Sequence, residues 1–322
     1  MTPRRRGRSA AAPVVAVTGT AGELGRAALA QLSARDAGRG LRGVDTVVHL
    51  DMSYDVHADP NERRARNVRG TALLLDAARA AGVSRVVLVT SADVYGADAA
   101  NPVPLPDTAP VRAAAGEDLL GDHVEVERLA AGAIGLSVAT IRPATLVGGR
   151  LGATYDGALL RQLSAPRLLA ARGREPLWQL CHVDDLLRAI EVTVTAGLEG
   201  PLPVASEGWL RQSQVERVAR KRRVELPAAV ALGTAERLHR LGVSTASPRE
   251  LDHLLGPVVV ASERLRAAGW TPLWTNEAAL AAHLAERTRA GGRTGAYTAA
   301  GATVALLGTA ALVRQARRRR RP

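Results

Sequence analysis

Residues 13–32 constrain this chain more than any other stretch. Pro13-Val14-Val15-Ala16-Val17-Thr18 is apolar without alternation, the pattern of a short strand buried on both faces. Gly19, Gly22 and Gly25 follow at three-residue spacing, and Leu24 to Leu32 reads as a helix. A strand, a glycine turn and a helix in this order form the context that a dinucleotide fingerprint requires. Gly19 permits a tight turn and Gly22 lets backbone N–H groups approach a pyrophosphate. Gly25 allows close helix–strand packing, while the helix N-terminus attracts the anion. The same spacing taken alone also fits a plain glycine turn in an α/β unit.

The alternation continues. Val44 to Leu50 reads as a strand, and residues 61–82 as a helix with Leu73, Leu74, Ala77 and Ala78 on one face and Gly82 as its stop. Val86 to Thr90 is another apolar strand. A helix around 117–133 and a strand from Leu136 to Ile141 complete the series. This predicts an α/β fold, a Rossmann-like doubly wound parallel sheet covered on both faces. The expected division is a basic tail (1–12), a dinucleotide-binding domain (13–150) and a smaller, mostly helical substrate domain (151–290). The last of these caps the carboxyl ends of the strands and can return one element to the sheet. A hydrophobic helix with an arginine-rich tail (294–322) closes the chain.

Charge excludes one class of partner. The net charge is +12, but Arg4, Arg5, Arg6 and Arg8 stand in an acid-free N-terminus and Arg314 and Arg317 to Arg321 in an acid-free C-terminus. Without these ten the body is nearly neutral, at about +2. It has no Phe and only 2% aromatic residues, so it lacks the stacking platforms of a single-strand binder, and no specific nucleic-acid partner is expected. Cys181 is the sole cysteine, which excludes a disulfide scaffold and fits a reducing compartment. No apolar stretch of signal-peptide length follows the basic N-terminus, so the expected location is cytoplasmic. Lys221 is the only lysine.

Thr18-Gly19-Thr20-Ala21-Gly22-Glu23-Leu24-Gly25, Val47-Val48-His49-Leu50, Asn67-Val68-Arg69-Gly70-Thr71, Thr90-Ser91-Ala92-Asp93-Val94-Tyr95-Gly96, Ile141-Arg142-Pro143 and His182-Val183-Asp184-Asp185 occur in that order. Together they resemble the extended short-chain dehydrogenase/reductases, the NAD-dependent epimerase/dehydratase group, over about residues 13–285. The resemblance implies NAD or NADP held by Thr18, Gly19, Gly22, Leu24, Gly25, Asn67 and Pro143, and a small hydroxyl or carbonyl substrate, often a nucleotide sugar. It also implies a Ser, a Tyr as acid/base and a Lys four residues after the Tyr. Ser91 stands at the Ser position. Counting back from Glu127-Arg128-Leu129 puts Leu119 at the Tyr position and His123 at the Lys position. No Tyr-x-x-x-Lys occurs anywhere in the chain. Leucine moves no proton, so the standard mechanism is excluded on residue identity.

A second departure lies between Gly25 and Val47. Ser33 to Gly43 reads as too short and too rich in Gly and Arg for the strand, helix and strand that the family places there. The strand that carries the ribose-binding acid is therefore expected to be missing, leaving the first strand as a sheet edge. Asp45 has the right count but begins a strand; Asp51 ends one and is the candidate substitute.

Other candidates carry two readings each. Asp122, His123 and Glu125 read either as an alternative acid/base or as a solvated helix face. Ser91 is either a substrate contact or a turn hydroxyl. His49, Asp51 and His57 lack metal-site spacing, and no metal is expected. In residues 182–185 an Asp is expected as the N-cap of the next helix. Cys181 reads as core. The four tryptophans read as packing of the second domain, with Trp209 placed to line its cleft.

Thr294 to Val313 are twenty residues without charge, about 30 Å as a helix and enough to span a bilayer core. Gly301, Ala305 and Gly308 share one face. A spanning helix, a helix lying on anionic lipid headgroups held by the terminal arginines, and a packing helix in a homo-oligomer all fit. A single span with a cytoplasmic body would push the six terminal arginines outward, against the positive-inside tendency, and the expectation is a cytoplasmic protein associated with the membrane through residues 294–313. The functional expectation is an NAD(P)-dependent epimerase/dehydratase-like, nucleotide-binding protein, catalytically atypical or inactive. The alternative is a non-catalytic membrane-associated binding or scaffold protein on the same fold.

Overall fold

A computed structural model describes residues 13–55, 58–149, 158–163, 165–241, 247–254 and 256–291. Both arginine tails, His57 and the uncharged stretch 294–313 lie outside the described residues. Among those described, no helix is long and apolar enough to cross a membrane.

The first half runs β1 (Val15–Val17), α1 (Glu23–Gln31), β2 (Arg35–Asp36), β3 (Thr46–His49), α2 (Pro60–Arg64), a π turn (Ala65–Arg69), α3 (Gly70–Ala80), β4 (Arg85–Val89), α4 (Leu119–Ala131) and β5 (Ser137–Pro143). Then follow β6 (Thr145–Val147), α5 (Ala158–Gln162), β7 (Leu168–Ala171), β8 (Leu177–Trp178), β9 (Leu180–His182), α6 (Val183–Thr195) and β10 (Gly200–Val204). The remainder is β11 (Leu210–Arg211), α7 (Gln212–Ala219), β12 (Arg223–Leu226), α8 (Ala228–Arg240), α9 (Glu263–Ala267) and α10 (Asn276–Gly291).

Six strands form one parallel sheet in the order β10-β5-β4-β3-β1-β2. The order reverses at β1: the chain goes first to β2 on one side and then to β3 on the other. That places a crevice at the carboxyl end of β1, where ligands bind in this architecture. β10 comes from beyond residue 151 and completes the far edge.

Strand alternation assigns the core. Val15 and Val17 face one side of β1 and Ala16 the other. The first side packs with Val87, Val89, Ile141, Leu186, Ile190 and Trp270, under α1 and α6. The second packs with Val47, Val86, Leu88, Leu75, Ala78 and Val126, under α3 and α4. Small helix residues, Ala28 on one face and Ala78 and Ala130 on the other, let helices approach a sheet built without phenylalanine. A separate cluster around Leu160, Trp178, Leu180, Leu210, Val215 and Leu280 holds the later elements together.

Two expectations about the short segment are corrected. The strand after the glycine helix is present: Ala16 and Val17 pair with Arg35 and Asp36. β1 is therefore not an edge strand, because β2 covers it. Two residues suffice, since a parallel partner needs only enough backbone to engage the exposed ladder of β1. What is absent is the further helix and strand, for a turn of 3-10 helix (Ala37–Arg39) leads from β2 towards β3. The helix expected over 61–82 is also divided, with a π turn between α2 and α3.

Candidate functional site

The glycine turn leaves β1 at the switch point. Gly19 has φ +71°, in the left-handed region, and a Cβ there would lie 2.5 Å from the Leu50 carbonyl oxygen. A Cβ on Gly25 would lie 2.2 Å from the Gly19 oxygen. Its bareness thus lets α1 close onto the turn itself. Gly22 differs: its nearest neighbour would be the Gly19 oxygen at 3.4 Å, so this position stays open above the first turn of α1. Gly22 caps α1 with no side chain, leaving the helix N–H groups uncovered. Uncovered N–H groups at a helix N-terminus are able to receive an anion such as a diphosphate. Leu24 anchors this N-terminus by packing into the core beneath.

Behind the turn a chain of hydrogen bonds fixes its position. The Thr18 hydroxyl accepts from the backbone N–H groups of Leu50 and Asp51, at 3.1 and 3.3 Å. Its own proton is then free for His49 Nδ1, 2.7 Å away. That makes Nε2 the protonated nitrogen of His49, donating to the Thr71 hydroxyl at 3.2 Å. Thr71 donates in turn to the Asn67 carbonyl at 2.6 Å. Burial lowers the His49 pKa to about 4, so the ring is neutral at neutral pH, as this bonding pattern needs. Both ring nitrogens are engaged, which leaves none for a metal. Among the described residues no group of His, Cys, Asp or Glu could hold a metal ion.

The acid beside the glycine turn is Asp36, which the sequence reading missed. It ends β2 and accepts from the Thr20 hydroxyl at 2.7 Å and the Gly38 N–H at 2.8 Å. The Thr20 bond first, and the Gly38 bond after it, hold its pKa below the usual value. Asp51 instead pairs with Arg66, whose Nε lies 3.0 Å from its carboxylate. Asp45 lies at the opposite, amino end of the sheet, where its carboxylate accepts from the Val14 N–H at 2.7 Å.

Asn67 is buried and serves as a brace. Its side chain accepts from the Ser53 N–H at 2.7 Å and donates to the Ser53 carbonyl at 2.9 Å. It also donates to Asp122 at 3.2 Å. Asp122 meets Arg63 Nε at 2.9 Å in a pair withdrawn from solvent. Burial raises the Asp122 pKa, opposed by Arg63 and Asn67. The solvated helix face expected for residues 122 and 123 is therefore corrected. α2 and the π turn pack on α4 and cover it.

His123 is buried too, with the Tyr54 ring centroid 5.8 Å away. Its Nε2 has no hydrogen-bond partner and no accessible surface. Burial lowers its pKa to about 4. Leu119 begins α4, half-buried, one turn before it. Ser91 follows β4, and its hydroxyl accepts from the Asp93 N–H at 3.1 Å, capping one turn of 3-10 helix. Ser91 and His123 share no hydrogen bond among the described residues. Pro143 ends β5, buried beside Val204 of β10. Below these residues Glu127 receives Arg142 in two bonds of 2.8 Å and the Thr90 hydroxyl at 2.7 Å. Arg142 also lies over the Tyr95 ring at 4.8 Å.

The expected Asp cap at residues 182–185 is corrected. His182 caps α6 itself, its Nδ1 accepting from the Asp184 N–H at 3.2 Å while the ring stacks on Trp274 at 3.9 Å. Asp185 is buried and accepts from the backbone N–H groups of Leu273 and Trp274. Cys181 is core, its thiol pushed up by burial. Trp178 and Trp270 are buried, and Trp209 is exposed.

Comparison with known proteins agrees with this geometry. The model of the NAD dependent epimerase/dehydratase family matches residues 33–203. The uncharacterized protein Rv0501 of Mycobacterium tuberculosis is 29% identical over 242 residues, covering 72% of this chain and 63% of that protein. A 3-diazoavenalumate denitrifying reductase from Streptomyces sp is 31% identical over 172 residues, 51% of this chain and 56% of the reductase. The chain thus spans less than two thirds of the length of these curated relatives. Among solved structures, dTDP-glucose 4,6-dehydratase DesIV from Streptomyces venezuelae, crystallised with NAD, superposes with a TM-score of 0.62 at 19% identity. The match covers 86% of this chain and 98% of DesIV. With the family model running from β2 to β10 and the same parallel sheet beneath it, the chain belongs to the NAD dependent epimerase/dehydratase family.

Proposed function

We propose that this chain binds NAD across the carboxyl ends of its strands and does not run the tyrosinate chemistry of its family. The observation that carries the reading is the open Gly22 cradle at the switch point with Asp36 beside it. The α1 N–H groups face the space for a diphosphate, and Asp36 is placed to accept from the 2′-hydroxyl of an adenosine ribose. The same carboxylate repels a 2′-phosphate, which favours NAD over NADP. Relatives support the cofactor class: DesIV is crystallised with NAD, and the Streptomyces relative is named a reductase.

Bound there, the nicotinamide ring supplies a hydride acceptor or donor. The chain's own proton chemistry is meagre. Leu119 has no proton to give. His123 is neutral, buried and out of reach of solvent, so it does not replace an ammonium that lowers a tyrosine pKa. Ser91 remains able to donate a hydrogen bond to a substrate oxygen. These features support a nucleotide-binding member that is catalytically atypical.

Calorimetric titration with NAD(H) and NADP(H) tests binding. Saturable NAD binding, tighter than NADP, is the expected result; no binding of either at millimolar concentration refutes the proposal. Turnover of a carbonyl substrate that depends on one of the chain's tyrosines would refute the second half.

A further inference from the structure

Residues 217–223 read Arg-Val-Ala-Arg-Lys-Arg-Arg, five cations in seven positions without an acid. They form the last turn of α7, its left-handed cap at Arg220 (φ 53°) and the entry to β12. Two carboxylates flank them, and both are engaged by one side chain: Arg223 donates to Glu216 at 3.1 Å and to Glu225 at 2.8 Å. Arg217, Arg220 and Arg222 stay exposed, with no carboxylate at ion-pairing distance among the described residues. Lys221 is drawn inward and donates to the carbonyls of Leu163 and Ala165.

The position of this patch matters as much as its charge. α7 packs on α10. Arg287 of α10 lies near enough to Lys221 to lower its pKa further, after burial. The patch is therefore continuous with the end of α10, which also exposes Arg289. α10 ends at Gly291, three residues before the uncharged stretch 294–313 and the six arginines that follow it.

We propose that this face of the folded body, Arg217, Arg220 and Arg222 beside the end of α10, docks on an anionic lipid surface. Any polyanion meets such a face favourably, but two observations select lipid. The chain runs from here directly into twenty uncharged residues, and stable membrane attachment takes an apolar segment plus a basic patch. The body also lacks the aromatic platforms that hold single-stranded nucleic acid. The inference does not depend on cofactor binding.

Flotation of the full chain with vesicles tests it. Vesicles of phosphatidylcholine alone are compared with vesicles containing phosphatidylglycerol at 0.1 M salt. The variant carries Arg217→Gln, Arg220→Asn and Arg222→Gln, asparagine being chosen because it tolerates the left-handed cap. Each exposed arginine contributes about fivefold in partitioning, so the variant, which loses three, is expected to bind phosphatidylglycerol vesicles about a hundredfold more weakly. The full chain is expected to prefer those vesicles over phosphatidylcholine, with binding that falls as salt rises. A matching variant with lysine at the same three positions keeps the charge and is expected to retain binding, which separates docking from a folding defect. Equal binding by the glutamine–asparagine variant, equal binding to both vesicle types, or tighter binding to duplex DNA or RNA than to vesicles would overturn the proposal.

Discussion

The two ends of the cofactor crevice have been treated differently in this chain. At the end that carries the glycine turn, the open Gly22 position and Asp36 are both in place, although β2 is two residues long and no further strand lies outside it among the described residues. At the other end the sheet and α4 are intact, yet Leu119 and His123 stand where the family resemblance implies a tyrosine and a lysine. The contrast follows from what each end asks of the sequence. Diphosphate recognition uses backbone N–H groups and the absence of side chains, so it survives wherever the turn closes. Proton transfer depends on the identity of single side chains, and on the proposed reading Leu119 and His123 withhold it without disturbing the fold.

The scaffold under the nicotinamide end is expected to be the most sensitive part of the comparison. Glu127 and Arg142 are both about 6–7% exposed and share two bonds. Glu127→Ala leaves a buried guanidinium unpaired and releases Thr90, and should cost about 3–5 kcal/mol in urea unfolding. A loss below about 1 kcal/mol would show that water reaches the pair.

Acid should act next, and at both ends. His49 and His123 are held neutral when folded, with pKa values lowered to about 4 from 6.5. The unfolded chain binds a proton at each below pH 6.5 while the folded chain does not. Stability is therefore full above pH 6.5 and falls as the pH drops towards 4, by about 3 kcal/mol per histidine. Comparing the pH dependence of unfolding with that of a His123→Asn variant isolates one histidine from the carboxylates. The variant should lose about one proton's worth of slope between pH 6.5 and 4.

The glycines separate stability from binding within a single turn. Gly25→Ala drives a methyl against the Gly19 backbone and is expected to cost about 1–3 kcal/mol of stability. Gly22→Ala meets only one atom, at 3.4 Å, and should leave the unfolding midpoint nearly unchanged while weakening NAD binding. Equal effects of the two on stability would mean that Gly22 also serves packing.

Much of this fold was legible because buried parallel strands and their helices repeat a strong pattern. β1, β3, β4 and β5 announce themselves as apolar runs, and the glycine turn by its spacing. β2 did not, because two half-buried residues, Arg35 and Asp36, carry no periodicity and sit among Gly and Arg. The only signal that could have found it was the need of β1 for a second neighbour. The Asp cap expected in residues 182–185 failed for a different reason. The partners of Asp185 are backbone groups at 273 and 274, nearly ninety residues away, and no local rule reports them. The burial of Asp122 and His123 likewise depends on α2 and the π turn folding over α4, which adjacent polar residues on a helix do not disclose.

Asp36 gives the gentlest test and the one most specific to the adenosine end. Its carboxylate is fixed by Thr20 and Gly38, so it needs no rearrangement to accept from a ribose hydroxyl. Asp36→Asn keeps the shape and removes the charge. NAD affinity should fall about tenfold, the effect of exchanging a charged acceptor for a neutral one. NADP should bind no worse, because its 2′-phosphate loses a repelling neighbour and Arg39 stands close enough to act on the same spot. The ratio of the two affinities is thus the quantity to measure by calorimetry. If both cofactors weaken equally, Asp36 supports the turn through Thr20 rather than reading the ribose, and a Thr20→Val variant would then reproduce the loss. If only NAD weakens, the two-residue strand retains the selectivity of a full-length one, and the missing outer strand was never needed for it.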